Sequence, residues 1–331
     1  MAAAPAWIDA LLQKRSAIEE TLGLPLGNMF ACGEFGCAFD TTDPWAVKIT
    51  RDPTEGPIWA EIADFHQSSP ADAAGAARVR DVVRLKPDIR WKLKKYPVYA
   101  VVREEILPVW DEGKPVAKCG EKPTPSVTDY TLAQLQVPEE LRSTFQDYRC
   151  MFSDTTLALL PEEAQQRVRD FAAVLVGLKE FRDAAGYAQH AAKLKSKKAA
   201  AQYRQLAQEG YQRGLTLIYN PIGAPIAKTL DGLFTKRDIL LADVHWANVG
   251  WRVHEDINGR LAPTLIIFDP GFSTYTGAER VREAYVANNA EHLDMLDPDE
   301  VRLAMHVTML DCDDFFDADD RAVANVASRY Q

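Results

Sequence analysis

An acid, an imidazole and a carboxamide lie close together in the stretch LADVHWANVGW, as Asp243, His245 and Asn248. A second carboxylate, Asp269, stands at the end of the next predicted strand, in APTLIIFDPGF. Two carboxylates and a carboxamide that converge from a loop and a strand end suit Mg²⁺, which prefers hard oxygen ligands. A carboxylate near a hydroxyl nucleophile could also accept its proton. Each of these residues alone is equally a common turn former.

Two groups upstream could contact phosphate. Gly33 and Gly36 in ACGEFGCA lie between two predicted strands, where glycines let backbone N–H groups approach a ligand, although the pair taken alone favours an ordinary hairpin. Their context argues against a dinucleotide-binding fingerprint. Lys48 is central in the apolar strand AVKIT, so its ammonium must face water or find a carboxylate. Glu61 on the next predicted helix is the best-placed partner, and Glu55, before that helix, is the second choice.

The elements that position these residues follow from hydrophobic patterning. Residues 28–106 are rich in predicted strands and carry one helix, which is predicted to begin at Pro57 because proline suits the first helical turn. Apolar residues then recur at helical spacing in three segments, 161–181, about 187–212 and 224–237. The C-terminal segment also has a helical pattern. The sequence therefore predicts a strand-rich part followed by a helical part.

Composition excludes several classes of protein. The formal net charge of -10 and the pI of about 5.2 argue against broad binding to nucleic acid or to membrane surfaces. The chain has no apolar run long enough to span a bilayer and begins without a signal-peptide pattern, so cytoplasm is the expected location. The 5 cysteines are scattered and form no CxxC pair, which favours reduced thiols over a disulfide framework.

The order of these groups along the chain resembles the protein-kinase-like superfamily. Glycine loop, strand lysine, helix glutamate, Asp-x₄-Asn and strand-terminal Asp follow one another over residues about 31–272. The resemblance implies an α+β, bilobal fold. It implies an N-terminal helix over 1–27, a small antiparallel-sheet N-lobe with one helix over 28–106, and a helical C-lobe over 107–331 with an atypical insertion at about 111–215.

The same resemblance implies how a nucleotide would bind. Gly33 and Gly36 would belong to the loop that covers ATP. Lys48 would contact the α- and β-phosphates, and Glu61 would hold this lysine in place. Backbone atoms from about Glu104 to Ile106 would form the hinge that hydrogen-bonds adenine.

It also implies the chemistry. Asp243 would be the catalytic base, Lys48 would neutralise charge during transfer, and Asn248 and Asp269 would hold Mg²⁺. His245 stands where protein kinases usually carry a lysine. In this respect the loop is similar to the aminoglycoside and choline phosphotransferase branch; a histidine that simply fixes the loop is the equal alternative.

The acceptor of the phosphoryl group is predicted less sharply than the donor. The sequences of these motifs resemble those of compact bacterial or phage kinase-like proteins, which favours a protein Ser/Thr acceptor. The histidine-bearing loop and the missing Ala-Pro-Glu favour a small-molecule acceptor, as in the aminoglycoside phosphotransferase type. A pseudokinase that binds nucleotide or a partner without transfer, and a nucleotidyl transferase on the same fold, are the remaining alternatives.

One basic segment has no place in these roles. HAAKLKSKKAAAQYR carries Lys193, Lys195, Lys197, Lys198 and Arg204 without a single acid. The segment is either a solvated helix face or a contact surface for an acidic partner or an anionic substrate.

Overall fold

The computed structural model describes residues 6–32, 35–41, 44–91, 94–109, 127–145, 154–241, 243–252, 263–270 and 273–275. Gly33 and the predicted helical segment at the C-terminus lie outside the described residues.

A five-stranded antiparallel sheet forms the first lobe. Its strands are β1 (Met29–Cys32), β2 (Gly36–Asp40), β3 (Trp45–Thr50), β4 (Val79–Trp91) and β5 (Lys94–Glu104). Their order across the sheet is β1-β2-β3-β5-β4, so β3 lies at the centre and β1 at an edge. The central position of β3 allows both of its faces to be covered.

Helices cover the two faces of this sheet. They are α1 (Ala6–Leu12), α2 (Arg15–Leu22) and α3 (Glu55–Ser68). Val47 and Ile49 of β3 pack in the cluster that contains the buried side chains of α1 and α2. Because successive strand residues point to opposite faces, Lys48 points to the other face, towards α3. The alternation in AVKIT thus places the lysine in the cleft, whereas the single N-terminal helix that the sequence predicts is in fact two short helices.

The second lobe is mainly helical. It contains α4 (Val127–Gln134), α5 (Asp154–Leu157), α6 (Glu162–Lys193), α7 (Lys197–Ile218) and α8 (Ala224–Arg237). Helices α6 and α7 form a long antiparallel hairpin. A Cβ on Gly177 would lie 2.8 Å from the carbonyl oxygen of Gly214, and one on Gly214 would lie 2.9 Å from that of Gly177, so the helices approach closely only because both residues are glycine.

The boundary between these two helices differs from the prediction. Helix α6 runs on to Lys193, and α7 begins at Lys197 rather than near residue 187. The Ser196 hydroxyl accepts a hydrogen bond from the Ala199 N–H at 3.4 Å and caps the start of α7. The predicted helix over 224–237 matches α8.

Short strands connect the lobes and carry the polar loop. They are β6 (Ile106–Pro108), β7 (Ile239–Leu241), β8 (Val249–Arg252), β9 (Thr264–Ile267) and β10 (Ser273–Tyr275). β6 follows β5 almost directly and pairs with β8, so the first lobe runs into the second through a strand. β9 also pairs with β8, and a 3₁₀ turn over Trp246–Asn248 precedes β8.

This architecture confirms the predicted α+β class, with an antiparallel-sheet lobe carrying one helix in the cleft and a mainly helical lobe. Among the described helices, none combines the length and apolar character needed to cross a membrane.

Candidate active site

Lys48 joins the two lobes electrostatically. Its Nζ lies 2.7 Å from Oε1 of Glu55 on α3 and 2.5 Å from Oδ2 of Asp269, just after β9. The Lys48 side chain is 16% exposed and that of Asp269 is 23% exposed. One ammonium thus bridges a helix acid of the first lobe and a strand-end acid of the second, in a cleft that keeps some contact with water.

The two carboxylates determine the charge state of this lysine. Burial alone would lower the pKa of the Lys48 ammonium, since a low-dielectric environment disfavours the charged form. The negative charges of Asp269 and Glu55 and their hydrogen bonds outweigh burial, so the pKa is raised above its ordinary value. Lys48 is therefore cationic at any physiological pH, as a phosphate contact requires.

The partner of Lys48 is Glu55, and the prediction of Glu61 is wrong. Helix α3 begins at Glu55, two residues before Pro57, which places Glu55 in the first turn beside β3. Glu61 lies further along the helix on another face, and its Oε2 is 3.8 Å from Nη1 of Arg237 on α8. Glu61 therefore contributes to a helix–helix contact and not to the lysine.

Two charged residues that the sequence analysis passed over lie in the same cluster. Arg103 is 6% exposed, and its guanidinium stands 5.2 Å from the Phe268 ring. Ala46 is its cross-strand partner on β3, so it shares the sheet face of Lys48. Burial lowers the pKa of Arg103, and the charges of Asp269 and Glu55 act in the opposite direction. In the sequence, the position of this arginine in the apolar strand VYAVVRE could have indicated that it needs a charged partner.

Asp52 is the second such residue. Its Oδ1 accepts hydrogen bonds from the backbone N–H and the hydroxyl of Thr54, both at 2.8 Å. Burial, together with the nearby charge of Glu55, raises the pKa of Asp52 to about 6, although the Thr54 hydrogen bonds and Lys48 act against the rise. The loop between β3 and α3 therefore holds a carboxyl group that titrates close to neutrality.

The stretch LADVHWANVGW brings its three polar groups together. The Asn248 Nδ2 donates to the backbone oxygen of Asp243 at 2.7 Å and lies 3.4 Å from Oδ2 of the same residue. His245 Nε2 lies 3.3 Å from Asp243 Oδ1, and His245 Nδ1 accepts from the Ala247 N–H at 3.3 Å. An Nδ1 that accepts leaves the proton on Nε2, so the imidazole donates towards Asp243. The histidine thus both fixes the loop and orients the carboxylate.

The residues predicted to hold Mg²⁺ lie next to one another. Asn248 O accepts from the backbone N–H of Phe268 at 3.0 Å and of Asp269 at 3.4 Å, which ties the end of β9 to the loop. Because the Asn248 amide nitrogen is turned towards Asp243, its Oδ1 remains a hard oxygen donor in the loop that is tied to Asp269.

Asn248 and Asp269 suit a Mg²⁺ ion whose shell is completed by substrate and water better than they suit an ion held by protein side chains alone. Within the described ranges, no three His, Cys, Asp or Glu side chains cluster closely enough to hold an ion by themselves. Mg²⁺ commonly takes one or two carboxylates and completes its shell with substrate phosphates and water. The pair Asn248 and Asp269 suits that mode.

The predicted hinge is occupied by hydrogen bonds within the protein. The Glu104 N–H donates to Arg78 O at 2.9 Å, and the Glu105 N–H donates to Pro44 O at 2.8 Å. The Glu104 carboxylate, fully buried, accepts from Nε of Arg78 at 2.7 Å and from Nη2 of Arg252 at 2.7 Å. The N–H and the carboxylate of Glu104 thus already have partners within the protein, and a contact of its backbone with adenine stays a prediction.

The remaining hinge position, Ile106, begins β6 and stands opposite Arg252 of β8. A backbone contact of Ile106 with adenine stays a prediction.

The described part of the glycine loop lies directly over Lys48. A Cβ at Gly36 would meet Lys48 Cε at 3.3 Å and Ile49 O at 3.0 Å, so glycine keeps this approach open. Cys32 and Cys37, which flank the loop, are joined by a disulfide. The expectation of reduced thiols is wrong for this pair because the hairpin places the two residues opposite each other.

The basic segment lies at the tip of the α6–α7 hairpin. Lys193, Lys195, Lys197, Lys198 and Arg204 are all exposed. The acidic partner proposed for them from the sequence stays a prediction.

A lysine on the third strand held by a glutamate of the following helix, beside an aspartate at a strand end of the other lobe, is the arrangement of protein-kinase-like proteins. The α+β arrangement of an antiparallel-sheet lobe and a mainly helical lobe agrees with the prediction from the motifs.

A solved structure described as "Structure of the GDP and kanamycin complex of APH(2")-IIia" is similar to this chain over 96% of this chain and 99% of that chain, at 11% identity and a TM-score of 0.29. No protein-family model matches the sequence, and no curated protein matches it.

Proposed function

We propose that the protein is an ATP- and Mg²⁺-dependent phosphotransferase that transfers the γ-phosphoryl group to a hydroxyl. The observation that carries this proposal is the position of Lys48 between Glu55 and Asp269. Phosphoryl transfer needs little covalent chemistry from the protein and depends on positioning and charge neutralisation. A partly buried, positively charged lysine beside the acid proposed to bind the metal supplies both.

In this proposal the chain binds the nucleotide from two sides. Lys48 would move its ammonium from Asp269 to the phosphates, while Glu55 keeps the side chain extended across the cleft. Asn248 Oδ1 and the Asp269 carboxylate would hold Mg²⁺, which when bound neutralises phosphate charge. The backbone at Gly36, which has no side chain in the way, would lie over the phosphates.

Asp243 is the proposed base. Its side chain is partly exposed, and the neutral imidazole of His245 at Oδ1 holds the carboxylate in one orientation. The acceptor hydroxyl would give its proton to an oxygen of this carboxylate as the oxygen–phosphorus bond forms. Asn248, by its hydrogen bond to the Asp243 backbone, keeps the base and the metal site in a fixed relation.

The proposed acceptor is the hydroxyl of a protein Ser or Thr, including one on the chain itself. The second candidate is a small-molecule hydroxyl. The contact between His245 and Asp243 favours this second candidate, because an imidazole faces the base where protein kinases usually carry a lysine. Phosphosite mapping of the purified protein after incubation with ATP, beside a screen of hydroxyl-bearing metabolites, separates the two candidates.

Labelled-ATP assays test the proposal itself. Asp243→Asn should lower transfer about 10²–10⁴-fold, the usual contribution of a general base, and Lys48→Met should also abolish most transfer. The exposed residues Asp9 and Lys228 provide matched controls, as Asp9→Asn and Lys228→Met. Unchanged transfer in both site variants would refute the assignment.

Thermal-shift measurements separate the non-catalytic alternative. A shift with ATP and Mg²⁺ without any turnover would identify a nucleotide-binding pseudokinase. Intact-mass analysis of a modified acceptor distinguishes addition of phosphate from addition of AMP, which a nucleotidyl transferase would produce.

A further inference from the structure

A covalent link closes the hairpin that overlies Lys48. Cys32 ends β1 and stands directly opposite Cys37 of β2, and a disulfide joins the two residues, whose Cα atoms lie 4.1 Å apart. β1 is an edge strand whose neighbour in the sheet is β2. The disulfide therefore ties an edge strand to the sheet at the last residue pair before the glycine loop.

The hairpin is also anchored by contacts that do not depend on the disulfide. The carbonyl oxygen of Phe35 accepts from the Arg51 N–H at 2.8 Å and from the Thr50 hydroxyl at 3.2 Å. The Arg51 guanidinium lies 5.8 Å from the Phe35 ring and 5.6 Å from the Trp7 ring of α1. β2 is thus held to the end of β3 and to the N-terminal helix, so cleavage of the disulfide would loosen mainly β1.

We propose that Cys32 and Cys37 are a reversible site of thiol–disulfide exchange, and that the oxidised hairpin binds nucleotide more tightly than the reduced one. The effect on nucleotide binding rests on the proposed function. The exchange site itself does not.

The burial of the two sulfur-bearing residues sets the order of the exchange. Cys32 is partly exposed, whereas Cys37 is 1% exposed. The Cys32 thiolate attacks a low-molecular-weight disulfide and releases one thiolate. The Cys37 thiolate then attacks the Cys32 sulfur of the mixed disulfide and releases the second. Two protein thiols are oxidised while one external disulfide is reduced to two thiols.

The proximity of the hairpin to Lys48 connects this exchange to the site. Gly36 adjoins Cys37 and approaches Lys48 Cε, so any loosening of the hairpin occurs beside the proposed phosphate position. A binding element that is already held in place loses less conformational freedom when a ligand arrives, and a disulfide is one way to hold it. Oxidation should therefore lower the nucleotide dissociation constant.

The test uses the full-length chain with Cys119, Cys150 and Cys312 changed to serine, so that Cys32 and Cys37 are the remaining cysteines. The protein is equilibrated with glutathione disulfide or with dithiothreitol. Free thiols are counted by alkylation under denaturing conditions and intact mass, and a fluorescent ADP analogue with Mg²⁺ gives the dissociation constant. We expect both thiols to be blocked after oxidation and free after reduction, and binding to be about fivefold tighter in the oxidised form.

Two further measurements make each outcome decisive. Adding Cys32→Ser should give the affinity of the reduced form in both buffers, since the attacking thiol is gone and the remaining Cys37 is buried. Hydrogen exchange of the β1 and β2 amides should speed up on reduction whether or not nucleotide binds. Thiols that stay free under glutathione disulfide, or equal exchange and equal affinity in both states, would overturn the proposal. Redox-dependent amide exchange with no nucleotide binding in either state would instead overturn the proposed function.

Discussion

Two clusters of paired charges lie in the cleft and differ in how completely they are closed. The first, the open cluster, consists of Lys48, Glu55 and Asp269. The second, the closed cluster, consists of Arg78, Glu104 and Arg252. In the first, one ammonium is shared between a buried carboxylate, that of Glu55, and a carboxylate that partly faces water, that of Asp269. In the second, one fully buried carboxylate accepts hydrogen bonds from two arginines, and Arg252 also donates to the backbone oxygens of Ala74 and Ala76.

This difference separates a site that can exchange partners from a structural tie. Lys48 can leave Asp269 for another anion and still keep Glu55, so a ligand can enter without leaving a buried charge unpaired. Glu104 has no alternative partner in this way, because loss of its charge would leave the largely buried guanidinium of Arg252 without an anion. A glutamate that the sequence assigned to adenine binding therefore holds the two lobes together.

The largest expected effect is on the closed cluster. Glu104→Gln keeps the shape of the side chain but removes its charge, so the free energy of unfolding should fall by about 3–5 kcal/mol, the usual cost of breaking a buried ion pair. Urea denaturation near neutral pH measures the change. Transfer per folded molecule should stay within about twofold. The exposed Glu140→Gln variant is the control, and a loss no larger than that of the control would contradict the assignment.

The charge of Glu104 should also appear in the pH dependence of stability. Burial would raise the pKa of Glu104, but hydrogen bonds and charges of Arg252 and Arg78 outweigh it and hold the pKa below the ordinary value. A lowered folded-state pKa means that the contribution is present above the ordinary carboxyl pKa. It is lost as the pH falls through the lowered pKa of the folded state.

The next largest effect should separate the two glutamates of α3. Glu55→Gln removes a charged hydrogen bond to Lys48 worth about 1.5–3 kcal/mol, so kcat/KM for ATP should fall about 10–100-fold. Glu61→Gln weakens a contact with Arg237 and should leave kcat/KM within about twofold. Steady-state assays with labelled ATP decide the matter. Equal losses in both variants would mean that the open cluster is not the nucleotide site.

The same two clusters show what the sequence could predict. An ammonium in an apolar strand needs a partner, and Lys48 contacts two carboxylates, one of which, Asp269, directly follows an apolar strand. The sequence ranks Glu55 below Glu61 because the helix is predicted to begin at Pro57, whereas it begins at Glu55. Proline is tolerated throughout the first turn, so its position leaves the start uncertain by a turn.

The residues that meet in the closed cluster could not be predicted from the sequence in this way. Arg78 immediately precedes β4 and Arg252 ends β8, both are distant from Glu104 in the sequence, and no local pattern indicates that they meet. Arg103 did carry a local signal, since a charge in an apolar strand needs a partner as much as Lys48 does. The fold class followed from the order of elements, whereas individual partners depended on tertiary contacts.

A smaller effect is expected beside the open cluster, at Asp52. Its folded-state pKa of about 6 is raised, so the folded state binds more protons than the unfolded state between about pH 4 and pH 6, and stability falls as the pH rises through that window. Asp52→Asn keeps an acceptor for Thr54 without the charge. Near neutral pH it should raise the free energy of unfolding by about 3 kcal/mol, and below about pH 4 the variant and the parent should be equal. Urea denaturation at both pH values measures this. A variant that is less stable at neutral pH would show that the Asp52 charge is favourable and that the open cluster needs it.

The smallest effect is expected at the tip of the α6–α7 hairpin, where the charges have neither burial nor partners of the kind that define the two clusters. The simultaneous change of Lys193, Lys195, Lys197 and Lys198 to glutamine should alter the free energy of unfolding by no more than about 0.5 kcal/mol, as is usual for exposed surface positions. Urea denaturation in low and in high salt checks this, since a hidden ion pair would appear as a salt-dependent loss. A larger loss would mean that these lysines hold the hairpin together. A neutral result leaves the charge of the tip free for an anionic partner, because cations that contribute nothing to folding can be desolvated by a partner without any cost to the fold.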